Sequence, residues 1–263
     1  MDLQLKDKMV FITGGSRGIG RAMALMFADQ GANIVICGRT KESLDQTVQD
    51  LEAKGIKAWG FQTDVSRMED VERFVSDAIK AAGQVDILIN NAVTSTSASF
   101  DQLTDDEFRY HIDVKLMAYI RIARLVLPHM KRQGSGRIVN VGGMTARIVA
   151  PLRMTNGVTN AGVANFTKQF ADYAARHNVT VNCVHPGYTA TERVTQIFES
   201  EAKQTGTDID TIIENRTDDI PLGKLIQPED IAAAALFFCS PLANMVTGQC
   251  IAVDGGSGQS VNY

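Results

Sequence analysis

The sequence predicts an α/β fold: one domain built on a doubly wound parallel sheet with helices on both faces. Three observations carry this. Short β-branched runs alternate with longer amphipathic stretches along most of the chain, and no internal repeat or low-complexity linker interrupts them. A length of 263 residues with 44% hydrophobic content suffices for one large core and is too short for two comfortable ones. The alternation itself signals βαβ units, because parallel strands need long crossovers and helices supply them.

The elements follow in order. Residues 9–12 (MVFI) read as a strand and residues 19–30 as the helix after it. Residues 34–36 then 41–53, and 58–62 then 68–82, repeat the unit. Residues 87–89 lead into a long helix reaching about Met130, and residues 138–141 (IVNV) precede another helix and a strand at 179–181. One segment breaks the rhythm. Residues 191–219 are polar, with Glu192, Glu199, Glu201, Asp208, Asp210, Glu214, Asp218 and Asp219 outweighing Arg193, Lys203 and Arg216. The segment follows the sixth strand, at the carboxyl ends where ligands bind in open α/β sheets, so it suits a substrate lid or a solvated helical excursion.

Composition narrows the function. A net charge of −4 and the lack of a dense Lys/Arg cluster argue against nucleic acid, which needs a basic face to displace counterions. The N-terminal residues have no basic segment followed by an apolar one, and the most apolar run, 231–239, is far shorter than the roughly 20 residues that span a bilayer. Cys37, Cys183, Cys239 and Cys250 are widely separated with no CxxC pair, which suits buried thiols in a reducing compartment rather than zinc ligands or disulfides. His111, His129, His177 and His185 show no ligand spacing. The chain thus reads as soluble and cytoplasmic, with no metal and a small-molecule partner.

Residues 13–20, TGGSRGIG, directly follow the first strand and open the first helix. Gly14, Gly18 and Gly20 let the backbone turn tightly and approach a pyrophosphate, which the free N–H groups and dipole of the helix N-terminus would hold. Elsewhere such a turn is often purely structural; the strand-turn-helix setting favours the dinucleotide. At the end of the second strand, an NAD site wants a carboxylate for the ribose 2′-OH. Here Gly38 and Arg39 stand in "ICGRT", and Arg17 in the glycine turn can point the same way, so two guanidiniums would clasp a 2′-phosphate. NADP(H) is favoured over NAD(H), the alternative for Arg39 being a solvent-facing side chain.

Several segments in order resemble the short-chain dehydrogenase/reductase family: residues 13–20, DVS at 64–66, DILINNA at 86–92, GRIVNV at 136–141, VNCVHPGYTAT at 181–191 and TGQCIAVDGG at 247–256. The likeness extends over nearly the full length and implies a Rossmann-type oxidoreductase. It places Thr13, Gly14, Ser16, Arg17, Gly18, Ile19 and Gly20 at the cofactor's phosphates, Asp64 and Val65 beside adenine, Asn91 and Ala92 at the adenosine ribose, and Pro186, Gly187 and Thr189 at the nicotinamide carboxamide. It also implies a homo-oligomer, a tetramer or dimer, with the apolar 231–240 helix and the 247–256 segment as pairing surfaces or as ordinary core.

The same resemblance implies hydride transfer assisted by tyrosine, lysine, serine and asparagine side chains. Gly143 stands at the serine position, Asn156 at the tyrosine, Asn160 at the lysine and Lys115 at the relay asparagine. No YxxxK occurs anywhere among the five tyrosines. The family's Asn-Asn-Ala-Gly also reads NNAV here, which puts the Val93 side chain where the backbone would approach the cofactor. Two functions follow. One is an NADP(H)-binding protein without ordinary ketone or alcohol chemistry, serving as a cofactor sensor or as a non-catalytic subunit beside an active relative. The other is an enzyme with altered chemistry, such as reduction of a conjugated C=C bond, with Lys115 as the candidate catalytic group and Asn156, Thr145, Arg147 and Arg153 around it. Tyr110, five residues before Lys115, is expected on a different helical face. Asn156 and Asn160, four apart, share one, where they would bind a ligand or each other.

Overall fold

The computed structural model describes residues 2–258. Seven parallel strands form one sheet: β1 (Met9–Thr13), β2 (Asn33–Gly38), β3 (Ala58–Gln62), β4 (Ile87–Asn90), β5 (Gly136–Val141), β6 (Val179–Pro186) and β7 (Cys250–Val253). Their order is β3-β2-β1-β4-β5-β6-β7. The chain therefore winds outward first on one side of β1 and then on the other, and the reversal between β1 and β4 opens a crevice at the carboxyl ends of the strands.

Strand periodicity explains both layers. Val10, Ile12, Ile34, Ile36, Ile87 and Ile89 point to one face, where they pack on α1 (Gly18–Asp29), α2 (Lys41–Glu52) and α9 (Pro228–Cys239). Their neighbours Met9, Phe11, Val35, Cys37 and Leu88 point to the other, against α3 (Met68–Ala82), α5 (Ala118–Gln133) and α6 (Met154–Ala175). A strand buried on both faces has no polar side to show, which is why these runs are almost continuously apolar.

The expected elements match closely, and the bounds of β3 and α3 coincide with the sequence expectation. The long helix before Met130 is the exception. It begins as α4 (Asp105–His111), capped by Thr104, whose hydroxyl accepts from the Glu107 N–H at 3.2 Å while the Glu107 carboxylate accepts from the Thr104 N–H at 3.0 Å. A π-turn over Ile112–Met117 then separates it from α5. The acidic segment folds as α7 (Glu192–Thr205) and α8 (Ile209–Asp218). Helix α9 buries Ile231, Ala232, Ala235, Leu236 and Phe238 in this chain's own core, which accounts for most of its apolar character. Among the described residues no helix is long and apolar enough to cross a membrane.

Candidate active site

A cleft of about 460 Å³ runs across the carboxyl ends of the strands. Gly14, Ser16, Arg17, Gly18 and Ile19 of the glycine turn line it, as do Arg39 after β2, Asp64 and Val65 after β3, Asn91 and Ala92 after β4, and Pro186, Gly187 and Thr189 at the end of β6. Gly14 has φ +64°, in the region that disfavours side chains, and a Cβ there would lie 3.2 Å from the Ala92 Cα. The turn therefore keeps the floor of the cleft open, which fits the close backbone approach a pyrophosphate requires.

Two residues expected at the cofactor do not reach the cleft. Thr13 is fully buried, and its hydroxyl accepts from the N–H groups of Asn91 and Ala92 at 2.9 and 3.0 Å. Gly20 is buried inside α1, with no surface in the cleft. Both act on its architecture: Thr13 ties the end of β1 to the turn after β4. Asn91 does line the cleft, but its side chain donates to the carbonyls of Thr13 and Gly14 at 3.0 and 3.1 Å, bracing the glycine turn from behind.

Lys115 lines the cleft while remaining only 4% exposed. Its Nζ donates to the Gly142 carbonyl at 2.8 Å. Burial depresses its pKa from 10.5 to about 7; the nearby Cys183 pulls it up and Arg193 pushes it further down. Tyr110 also lines this cleft but is 41% exposed, as suits a face other than that of the buried Lys115. The Tyr110 hydroxyl accepts from Arg39 Nη1 at 3.3 Å, which gives that guanidinium a protein partner. Val93 is 43% exposed and lines the cleft beside Ala92.

The positions expected to move protons hold no ionisable group except Lys115. Asn156 accepts from the Ser95 hydroxyl at 3.3 Å and donates to the Thr94 carbonyl at 3.4 Å. Asn160 is buried and donates to the Thr145 hydroxyl at 2.8 Å, while its Oδ1 has no hydrogen-bond partner among the described residues. The two amides therefore bond to different neighbours and not to each other. Gly143 leaves the room that Asn160 uses: a Cβ there would stand 2.6 Å from Asn160 Nδ2. Of the group expected around Lys115, Asn156, Thr145, Arg147 and Arg153 do not contribute to the cleft wall, and Arg147 is spent on the Cys250 carbonyl.

The four cysteines are free, and three of them are buried. Cys183 and Cys250 are partners in register across β6 and β7, and with His185 they bring three potential ligand atoms within 4.8 Å of one another. Hydrogen bonding to the Cys183 thiol lowers the Cys250 pKa, and the same contact with burial raises that of Cys183. His185 Nδ1 accepts from the Gly143 N–H at 3.0 Å, which leaves the ring proton on Nε2, 3.9 Å from Cys183 Sγ. A metal at Nε2 would have to displace that proton, so this tautomer suits a hydrogen-bonded cluster better than a metal centre. Cys250 is also only partly buried.

The polar segment supplied cleft residues that the sequence did not single out. Thr191, Glu192, Arg193, Val194 and Gln196, at the start of α7, form one wall. The Thr191 hydroxyl accepts from the Val194 N–H at 3.4 Å and so fixes where this helix begins.

A doubly wound parallel sheet with a glycine turn at its first strand and a cleft over its switch point defines a Rossmann-type α/β protein. Residues 14–258 match the family profile described as Enoyl-(Acyl carrier protein) reductase, and the chain belongs to this family of short-chain dehydrogenases/reductases. It is 33% identical over 260 residues to "Uncharacterized oxidoreductase YvrD" of Bacillus subtilis (strain 168), covering 97% of this chain and 98% of that protein. It is 31% identical over 254 residues to the 3-oxoacyl-[acyl-carrier-protein] reductase FabG of Thermotoga maritima, covering 97% and 99%. The crystal structure of L-sorbose reductase from Gluconobacter frateurii, complexed with NADPH and L-sorbose, superposes with a TM-score of 0.96 at 30% identity, covering 99% of this chain and 100% of that one.

Proposed function

We propose that this protein binds NADP(H) in the cleft and lacks ordinary ketone or alcohol redox activity, working as a cofactor sensor or as a non-catalytic subunit beside an active relative. When bound, the nicotinamide supplies hydride exchange. What this chain's residues do there decides whether a reaction follows. The glycine turn and the N-terminus of α1 hold phosphate through backbone N–H groups. Arg17 and Arg39 take the 2′-phosphate, Asp64 and Val65 flank the adenine, and Pro186, Gly187 and Thr189 meet the carboxamide. The start of α7 closes over the open side as a lid.

The observation that carries the loss of chemistry is Asn156. An oxygen that gains charge when hydride adds to a carbonyl carbon needs a proton, and a carboxamide side chain does not give one up. Asn156 is held instead by Ser95 and Thr94, and Asn160 by Thr145. Loss of a general acid costs about 10²- to 10⁴-fold in rate, and such losses do not simply multiply within one constellation. NADPH titrated into the purified protein and followed by fluorescence should saturate, while simple ketones and secondary alcohols turn over negligibly. Brisk turnover of a plain secondary alcohol would end this reading, and absence of NADPH binding at millimolar concentration would end the sensor role.

One observation favours a second reading. Lys115 lies in the cleft with a pKa of about 7, so at neutral pH it both holds and releases a proton. Reduction of a conjugated C=C bond develops charge on a remote carbonyl oxygen, where this ammonium would provide the compensating charge or proton. Under this reading Lys115→Ala abolishes enone reduction; undiminished turnover in that variant removes Lys115 from the chemistry.

A further inference from the structure

Two thiols stand together outside the chemistry proposed for the cleft. Cys183 on β6 and Cys250 at the start of β7 are in-register partners of a parallel pair. Side chains at paired positions leave the sheet on the same face, and both thiols belong to the layer that packs on α6, where Cys250 Sγ lies 4.0 Å from the Ala164 carbonyl. Adjacent strands run about 4.7–4.9 Å apart, inside the Cα separation of about 4.4–6.8 Å that a disulfide spans. The two sulfurs and a His185 ring nitrogen all lie within 4.8 Å of one another. Bonding the sulfurs therefore calls for a turn about the Cα–Cβ bonds and not for a shift of the strands.

The two thiols differ in their surroundings. Cys183 is fully buried, whereas Cys250 is only partly so. The Arg147 guanidinium donates to the Cys250 carbonyl, and His185, two residues beyond Cys183 and so on the same face of β6, holds its Nε2 proton 3.9 Å from Cys183 Sγ. Hydrogen bonding from Cys183 lowers the Cys250 pKa most, and His185 and the Arg147 charge lower it further against the effect of burial. A partly exposed thiol in such a setting reacts as its thiolate, and a second thiol in contact with it resolves the product. The other two cysteines have neither feature. Cys37 pairs in register with Thr13 and Phe61, Cys239 ends α9, and burial raises the pKa of each.

We propose that Cys250 and Cys183 are a modification site, closing into a reversible disulfide when the protein meets a hydroperoxide. The Cys250 thiolate attacks the peroxide O–O bond and takes one oxygen as a sulfenic acid; the other oxygen leaves as an alkoxide and collects the proton that Cys250 gave up. The Cys183 sulfur then attacks the Cys250 sulfur, and its proton departs with the displaced hydroxide as water. Two thiols and one hydroperoxide give one disulfide, one alcohol and one water, the sulfurs losing the two electrons that the O–O bond gains. The pair lies directly behind the cleft: a Cβ on Gly142 would stand 3.1 Å from Cys183 Sγ, and the Gly142 carbonyl accepts from Lys115. This modification does not depend on cofactor binding, so it goes beyond the reading of the cleft as a dinucleotide site.

The test exposes the full chain, reduced with dithiothreitol and then freed of it, to hydrogen peroxide. Remaining thiols are counted with a maleimide in denaturant and located by peptide mass spectrometry. The count should fall from four to two, with the peptides holding Cys183 and Cys250 joined, Cys37 and Cys239 still free, and the change undone by dithiothreitol. In Cys183→Ala, Cys250 should stop at the sulfenic acid and be trapped by dimedone; in Cys250→Ala, thiol loss should slow by about tenfold or more. Survival of all the thiols, oxidation falling first on Cys37 or Cys239, or Cys250 linking two chains instead of reaching Cys183 would overturn the proposal. Should either variant fail to fold, the presence or absence of the joined peptide in the wild type decides it alone.

Discussion

Replacing Lys115 by methionine should change how the protein's stability depends on pH. The ammonium is buried, 4% exposed, and it donates to the Gly142 carbonyl at 2.8 Å. Its pKa falls from 10.5 to about 7 on folding, chiefly because burial disfavours the charged form. Each pKa unit is worth about 1.36 kcal/mol, so the whole displacement amounts to on the order of 5 kcal/mol. Between about pH 7 and 10.5 the unfolded chain holds a proton that the folded one has released, and raising the pH therefore stabilises the fold. Below about 7 both states hold the proton and the contribution is flat at its least favourable value. Methionine fills similar space without a charge, so the stability of the wild type relative to Lys115→Met should rise by roughly 1.4 kcal/mol per pH unit through the alkaline window. At neutral pH and below, the variant should be the more stable, less about 1–3 kcal/mol for the carbonyl left unpaired at Gly142. Urea unfolding of both proteins at about pH 6, 8 and 9.5 gives the difference directly, because other titrating groups largely cancel. A difference that stays constant over this range would refute the claim that burial holds the pKa of Lys115 well below its ordinary value.

Two further substitutions probe the neighbouring geometry. Gly143→Ser places a Cβ 2.6 Å from Asn160 Nδ2 and should cost about 1–3 kcal/mol in denaturant unfolding, with most of that cost absent in an Asn160→Ala background; an equal cost in both backgrounds would show that Asn160 is not what excludes a side chain at Gly143. The single hydroxyl proton of Tyr119 is shared between the carbonyls of Ala92 and Val141, each at 3.1 Å, joining the ends of β4 and β5 beneath the cleft. Tyr119→Phe should lower stability by about 1–2 kcal/mol in the same assay, and an unchanged denaturation midpoint would remove that tie from the account.

Much of the site was legible because its signals are local. A glycine turn between a strand and a helix is written in eight adjacent residues, and thirteen of the fifteen residues named as cofactor contacts do line one cleft. Thr13 and Gly20 fail because neighbourhood in sequence does not say which side of a turn a residue faces; both lie behind the surface that the others present. The polar segment at 191–219 was legible as an interruption, but its cleft residues were not, since placing Arg193 in the wall depends on where Thr191 starts α7 and how that helix lies over β6.

By itself the sequence determined the strands, the helices and the doubly wound layering, and it singled out Asn156, Asn160, Gly143 and Lys115 for attention. These depend on periodicity, turn chemistry and order along the chain, which are short-range properties. Only the tertiary structure decided what those residues touch. It set Asn156 against Ser95 and Asn160 against Thr145, brought Cys183 and Cys250 together across two strands, and gathered Arg17, Arg39, Lys115 and Arg193 from separate elements into one cleft. Contacts of that kind join residues distant in sequence, so they are fixed by packing the whole sheet and leave no local trace to read.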